Sequence, residues 1–224
     1  MWRDERGMAL VLVLLCAMLF LALGGALVTV VSSEATISAT FRESAVAVSA
    51  ADAAIVRVLP DLGAAPDLNA ILTGTVASSF VDEPPPPAPR RLPDGTSLDL
   101  AAATSVERCG QIACTEAQMD AVTVERPWGT NNARWQRYGS GWLRDLTPQA
   151  ADAPHAYVVV WIGDDPLETD GDPLTDDGDV NAPGHDVVLL RAAAYAAYSA
   201  RRRIEVVARR DGGRVRITSW REIR

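Results

Sequence analysis

Between Met8 and Val31 the chain carries no charged residue, and nearly every side chain is apolar. The run is 24 residues long, and about 20 helical residues cross the hydrocarbon core of a bilayer. Gly24 and Gly25 are its only weak helix formers. Behind it a helical pattern continues without interruption to Pro60, which disfavours helix at Leu59 and is expected to end it. Met8–Leu59 would then be one helix of roughly 78 Å. Its second half carries an apolar stripe at Ile37, Phe41, Ala45, Val48, Ile55 and Leu59, with Arg42, Glu43, Asp52 and Arg57 largely off it. Arg3 and Arg6 precede the run and Glu34 is the first charge after it. The positive-inside bias therefore puts the N-terminus in the cytoplasm and the rest of the chain outside, although Asp4 and Glu5 weaken the signal. Two other readings fit the run alone. Gly24-Gly25-Ala26 offers a cleavage site for a secretory signal peptide, and a plain single-span anchor needs nothing more. A lipid anchor at Cys16 is disfavoured by the bulky Leu15 before it.

Three segments carry a resemblance: Arg6-Gly7-Met8-Ala9-Leu10-Val11 at the entry to the run, Thr40-Phe41-Arg42-Glu43-Ser44, and Ala50-Ala51-Asp52-Ala53-Ala54. Together they resemble the N-terminal region of PilX-type minor pilins of type IV pilus systems, over about the first 60 residues. The resemblance implies that residues 1–7 are a leader which a prepilin peptidase removes after Gly7, leaving Met8 as the new, methylated N-terminus. It implies a transmembrane segment at 8–31, an amphipathic continuation at 32–60, and an extracytoplasmic, β-rich head at 61–224. The fold class expected is α+β, a long N-terminal helix packed on an antiparallel sheet as in pilins. The implied location is the inner membrane, with a single pass and the head in the periplasm, and assembly into an extracellular pilus. The implied partners are other minor and major pilins, the inner-membrane assembly platform, the peptidase and a tip adhesin. One position departs from the family. Pilins usually carry Glu at the fifth mature position, where it neutralises a neighbour's terminal amine in an apolar filament core; here that position is Leu12. A subunit at the tip, or one that initiates assembly, has no such amine to neutralise. Leu12 fits a minor pseudopilin of type II secretion equally well. A single-span anchored binding domain that never enters a filament is the reading from another class.

Charge is segregated along the remaining sequence. The net charge is −8, and the 21 basic residues are all arginine. Residues 201–224 hold nine of them against Glu205, Asp211 and Glu222. Acidic residues concentrate in 163–186, where Asp164, Asp165, Glu168, Asp170, Asp172, Asp176, Asp177, Asp179 and Asp186 surround Gly171 and Gly178. Closely spaced carboxylates with glycines for tight turns suit Ca²⁺, which takes six to eight hard oxygens from a flexible loop. The candidate ligands are Asp170, Asp172, Asp176, Asp177 and Asp179. The spacing is not that of an EF-hand, and a solvated acidic loop is the plain alternative. Cys109 and Cys114 are positioned to close a small disulfide loop in an oxidising compartment.

The strand pattern is uneven. Ala156–Ile162 reads as a central strand, apolar on both faces. Val187–Leu190 reads as another, with a possible extension through Ala192–Tyr198. Arg203–Arg210 and Arg214–Glu222 flank Asp211-Gly212-Gly213, a hairpin turn signal. Ile204, Val206 and Ala208 share one face, which leaves the opposite face solvated and rich in arginine. Ala121–Arg126 has strand character, Arg134–Tyr138 reads as a short strand followed by a turn at Gly139–Trp142, and Leu68–Leu72 as a short helix. Ser97–Met119 reads as irregular, and 81–95 as an exposed loop stiffened by Pro84–Pro87 and Pro89. Arginine interleaved with aromatics at Arg134–Tyr138 raises a nucleic-acid platform, but arginine stems lying over packed aromatics explain it better. No phosphate loop, dinucleotide fingerprint or C-x-x-C is present, and neither His155 nor His185 lies near a nucleophile motif. The expectation is a structural subunit and not an enzyme.

Overall fold

A computed structural model describes residues 6–82, 89–146, 155–168, 171–176 and 178–223. The chain divides into two compact units, Met1–Arg42 and Glu43–Arg224, and helix α1 (Arg6–Ala64) contributes to both. Within the first unit α1 presents its apolar side chains outward, Leu10, Leu14, Phe20, Leu21 and Val28 among them. It is long and apolar enough to cross a membrane. Its threonines do not interrupt it, because their hydroxyls bond back to their own helix. Thr29 donates to the Ala26 carbonyl, Thr36 to Ser32 and Thr40 to Thr36.

In the second unit α1 is followed by α2 (Leu68–Leu72), the short strands β1 (Arg90–Arg91) and β2 (Ser97–Leu98), α3 (Leu100–Cys109) and α4 (Glu116–Met119). Then come β3 (Gln136–Trp142), α5 (Leu143–Leu146), β4 (Tyr157–Asp164), β5 (Val187–Tyr195), β6 (Arg201–Asp211) and β7 (Arg214–Ile223). The last five strands form one antiparallel sheet in chain order, β3-β4-β5-β6-β7. The α+β class expected from the sequence is therefore present, with a long apolar N-terminal helix and an antiparallel sheet. β4 is buried along its whole length and pairs on both sides, which is why it reads as a continuous apolar run. Each of its valines contributes about 1.5–3 kcal/mol by burial, so an aspartate at Val160 would abolish the fold. The β6–β7 hairpin turns at Gly212-Gly213, both at positive φ (54° and 81°), as a two-residue turn of this type requires.

Two cores sandwich the sheet. On one face Val158, Val160, Ile162, Leu190, Ile204 and Val206 pack with Ala47, Ala51, Ala54, Ile55, Val58 and Leu62 of α1. The buried face of α1 is thus mostly alanine, and it is rotated from the expected stripe: Ile55 is buried, but Ile37, Phe41 and Ala45 are exposed. Small side chains let a helix lie close to a sheet while carrying almost no hydrophobic signal. On the other face Trp135, Tyr157, Val159, Trp161, Leu189 and Ala193 form the second core, closed by Leu100 of α3 and by Leu92.

Several local expectations are corrected. Helix α1 runs past Pro60 to Ala64. Pro60 and Val56 both lie on the exposed side, where a backbone carbonyl left without its helical donor costs less than in a core. Beyond it, the Asp61 carboxylate accepts from the Ser78 hydroxyl (2.5 Å) and from the Ser79 N–H (2.7 Å), holding the last turn in place. Ser97–Met119 is largely helical, with Asp99 capping α3 through the Ala101 and Ala102 N–H groups and Gly110 ending it at φ 80°. Ala121–Arg126 forms no strand. Gly139–Trp142 continues β3 instead of turning, because the glycines make room for Phe80: a Cβ on Gly141 would sit 2.7 Å from its ring. The arginine-bearing sheet face is partly covered by α3 and is not simply solvated. Of the expected proline-stiffened loop 81–95, residues 83–88 lie outside the described residues.

Candidate functional site

Gly7 and Met8, the expected processing junction, both fall within α1, and Met8 is exposed. Residues 1–5 of the expected leader lie outside the described residues. Leu12 is an exposed apolar residue of the same helix. Cys16 is a free, exposed thiol on it.

Cys109 and Cys114 form the expected disulfide, with Cα atoms 6.0 Å apart. The bridge joins the last residue of α3 to the segment entering α4. Arg126 supports the same corner from the other side, donating to the carbonyls of Arg108 (2.7 Å) and Cys109 (3.3 Å).

The acidic segment is not a uniformly solvated loop. Asp164 and Glu168 are buried. Asp172 and Asp179 are exposed and each shapes a local turn. Asp172 accepts from the Leu174 N–H (3.1 Å), and Asp179 accepts from the Asn181 N–H (2.9 Å), which holds its carboxyl below the ordinary value. Asp176 is half-buried. Its N–H donates to Asn69 Oδ1 of α2 (2.7 Å), and its carboxylate accepts from the Asp186 N–H (2.8 Å). Burial, reinforced by Asp186, pushes the Asp176 carboxyl up despite the hydrogen bond and the nearby His185 and Arg210. Asp170 and Asp177, the other two calcium candidates, lie outside the described residues.

Among the described residues, one grouping could hold a metal: Asp176, His185 and Asp186, with ligand atoms within 4.8 Å of one another. The sequence sets His185 beside Asp186, where it could join a metal site or simply lie on a surface loop, but nothing local brings Asp176, nine positions earlier, to the pair. The donor set fits calcium poorly. Imidazole nitrogen is not a hard oxygen ligand, and Arg210 already pairs with Asp186 at 2.7 Å. Arg210 also donates to the Ala65 carbonyl (2.8 Å), so this network ties the loop to the segment just after α1.

The other concentration of charge lies on the sheet face opposite α1. Arg191 of β5, Arg201 and Arg203 of β6 and Arg221 of β7 gather around two buried carboxylates, Glu107 of α3 and Glu205 of β6. Glu107 contacts Arg191 (2.8 Å), Arg203 (3.4 Å) and Arg201 (3.7 Å). Glu205 contacts Arg191 (2.5 Å) and accepts from Arg221 Nε (2.9 Å). The antiparallel register creates this cluster by placing Arg191 and Arg221 opposite Glu205 on the two neighbouring strands. Burial alone would raise the Glu205 carboxyl, but Arg191 and Arg221 outweigh it and hold it below its ordinary value. The Arg191 guanidinium also lies 4.1 Å from the centre of the Trp135 ring.

A cavity of about 620 Å³ opens over this cluster. Its floor includes Arg191, Arg203 and Arg221, and its apolar walls include Val106, Val124, Trp128 and Ile223. Sequence reading registered the arginine-rich C-terminal hairpin but not the cavity. Glu107 comes from a helix nearly a hundred residues earlier, and the loop 123–128 that forms the outer wall has no regular pattern. No family model, curated protein or solved structure matches this chain.

Proposed function

We propose that this chain is a membrane-anchored, pilin-like structural subunit of a type IV pilus system, of the PilX-type minor pilin class, acting in pilus initiation or at the tip. The observation that carries the reading is α1. One helix supplies a membrane-length apolar stretch with its side chains outward, and its later turns form part of the core of a folded domain. A plain anchor needs no such sharing, because a short linker would do. The Arg6-Gly7-Met8 junction and the segments that follow supply the resemblance. In this reading the anchor holds the subunit in the inner membrane with its head in the periplasm, an oxidising compartment in which the Cys109–Cys114 bridge persists. Peptidase cleavage after Gly7 frees Met8, and the helix leaves the bilayer by exchanging lipid contacts for apolar contacts with other pilins. Leu12 brings no carboxylate into that contact, which suits a subunit with no subunit ahead of it. The role is structural, and no catalytic step is assigned.

The test is the N-terminal sequence of the mature protein, isolated from membranes of cells with and without prepilin peptidase. A start at Met8 that depends on the peptidase is expected. A Met1 start in both strains would refute the pilin mechanism, and a start near Leu27 would indicate a secreted protein.

A further inference from the structure

The cluster beneath the cavity holds four guanidinium groups against two carboxylates, Glu107 and Glu205. Glu125 and Arg126, also on the cavity wall, offset one another. The site therefore carries more positive than negative charge at the mouth of a pocket. Arg221 is the most accessible of the four, its side chain 64% exposed, while Glu107 beneath is almost wholly buried at 1%. The buried carboxylates fix the guanidinium forks before any ligand arrives, and a pre-organised fork binds a carboxylate at lower entropic cost.

The apolar walls narrow the ligand class. Val124 is 94% exposed and Trp128 40%, and both face the pocket together with Val106 and Ile223. A free inorganic anion makes no use of such walls. A nucleic-acid strand calls for a basic track and stacking platforms, not a single pocket whose arginines are locked on glutamates. The adjoining backbone narrows it further. At the β3 edge of the sheet, the segment Ser78–Asp82 covers the strand through bonds between Ser78 N–H and the Tyr138 carbonyl (2.8 Å) and between Ser140 N–H and the Phe80 carbonyl (2.9 Å). At the other edge β7 has no strand beyond it among the described residues. Arg221 and Ile223, both on β7, belong to the cavity lining. An open edge and a cationic pocket thus adjoin.

We propose that this head binds an extended acidic peptide segment of a partner protein, which adds to the sheet along β7 and places carboxylate side chains over Arg221 and its neighbours in the cavity. Main-chain pairing supplies affinity, and the acidic side chains, at every second residue and so all on the face that meets the arginines, supply selectivity with their stems against Val124 and Trp128. The inference does not depend on whether the anchor helix enters a filament, so either can fail without the other.

The experiment uses the full chain in detergent micelles and a fluorescently labelled peptide alternating glutamate and valine, read by anisotropy. The same peptide with glutamine for glutamate is the control. The glutamate peptide is expected to bind and the glutamine peptide not to. Binding should weaken as NaCl rises from about 20 mM to about 300 mM. R221Q should weaken it about tenfold, the size of one charge-assisted contact. V124D, which alters an exposed side chain at the cavity and disturbs no core, should weaken it comparably, whereas R214Q on the same strand but away from the cavity should leave it unchanged. Equal binding of the two peptides, or full affinity in both R221Q and V124D, would overturn the proposal. Complete displacement by millimolar inorganic phosphate, or by a single-stranded oligothymidylate, would overturn it in favour of a simple oxyanion site or a nucleic-acid site.

Discussion

Glu107→Gln isolates the electrostatic core of the head. The substitution keeps the volume of the side chain and removes its charge, while its new amide N–H groups face guanidiniums that cannot accept a bond. Glu107 is 1% exposed and contacts Arg191 at 2.8 Å, with Arg203 and Arg201 further out. Removing one partner of a buried ion pair costs about 3–5 kcal/mol. Two features place this site at the low end. Arg191 keeps Glu205 at 2.5 Å, and Arg201 is 44% exposed, so water takes up part of its charge. The expected loss is therefore about 3 kcal/mol. For a domain of this size that is a fall in Tm of roughly 6–12 °C. The assay is thermal unfolding of the full chain in detergent, followed by tryptophan fluorescence, since Trp135 and Trp161 are buried in the core beside this cluster. Glu222→Gln is the control. Glu222 is 40% exposed and meets Arg202 at 3.4 Å, so its loss should cost less than about 1 kcal/mol. Adding salt should leave the Glu107→Gln deficit in place, because a buried pair is poorly screened. A variant within about 0.5 kcal/mol of the parent would refute the view that Glu107 organises the cluster.

Two aspartates are expected to respond to pH with opposite sign. Burial pushes Asp61 up, but bonds from Ser78 and Ser79 and the charge of Arg57 outweigh it, so its folded value lies below the ordinary one. Its stabilisation is then complete above the ordinary carboxylate range, near pH 4, and is lost as pH falls through the folded value. Asp61→Asn should cost about 1–2 kcal/mol at neutral pH, and the gap from the parent should close in acid, as urea unfolding across pH would show. Asp176 is raised by burial, so its favourable contribution is present below the ordinary value and lost as pH rises through the folded one. Asp176→Asn should therefore be neutral or stabilising at pH 7 in the same assay; a loss of stability seen only with added Ca²⁺ would instead make Asp176 a calcium ligand. Gly141→Ala puts a methyl 2.7 Å from the Phe80 ring, which is 7% exposed, and should cost about 1–3 kcal/mol. Combining it with Phe80→Ala should give less than the sum of the two effects, and strict additivity in unfolding measurements would refute the contact.

What could be read from residues alone follows how local each cause is. The membrane-length run, the buried strand β4 and the Gly212-Gly213 hairpin all carry their reason within about ten residues, and each appears where expected. So does α2, with Asp67 as its cap. Where the reason lies far along the chain, local reading failed. Pro60 does not end α1, because Ser78 and Ser79 hold Asp61 from the far side of a turn. Gly139 and Gly141 read as a turn until Phe80 is placed against them. Helix α3 had local signals in Asp99 and Gly110, but its Ala-Ala-Ala-Thr-Ser interior offers no bulky apolar residue to mark a buried face. The same division runs through the candidate site. The excess of arginine after residue 200 is plain in the sequence, yet its meaning depends on Glu107, which only the docking of α3 on the sheet brings near. Read alone, the arginines describe a solvated face of general positive charge. Placed around two buried carboxylates, they become a fixed array beneath a pocket, with a geometry that a loose basic surface lacks. Charge counting along a chain measures how much charge there is, whereas recognition depends on how firmly that charge is held, and at this cluster the holding is done by residues of opposite sign.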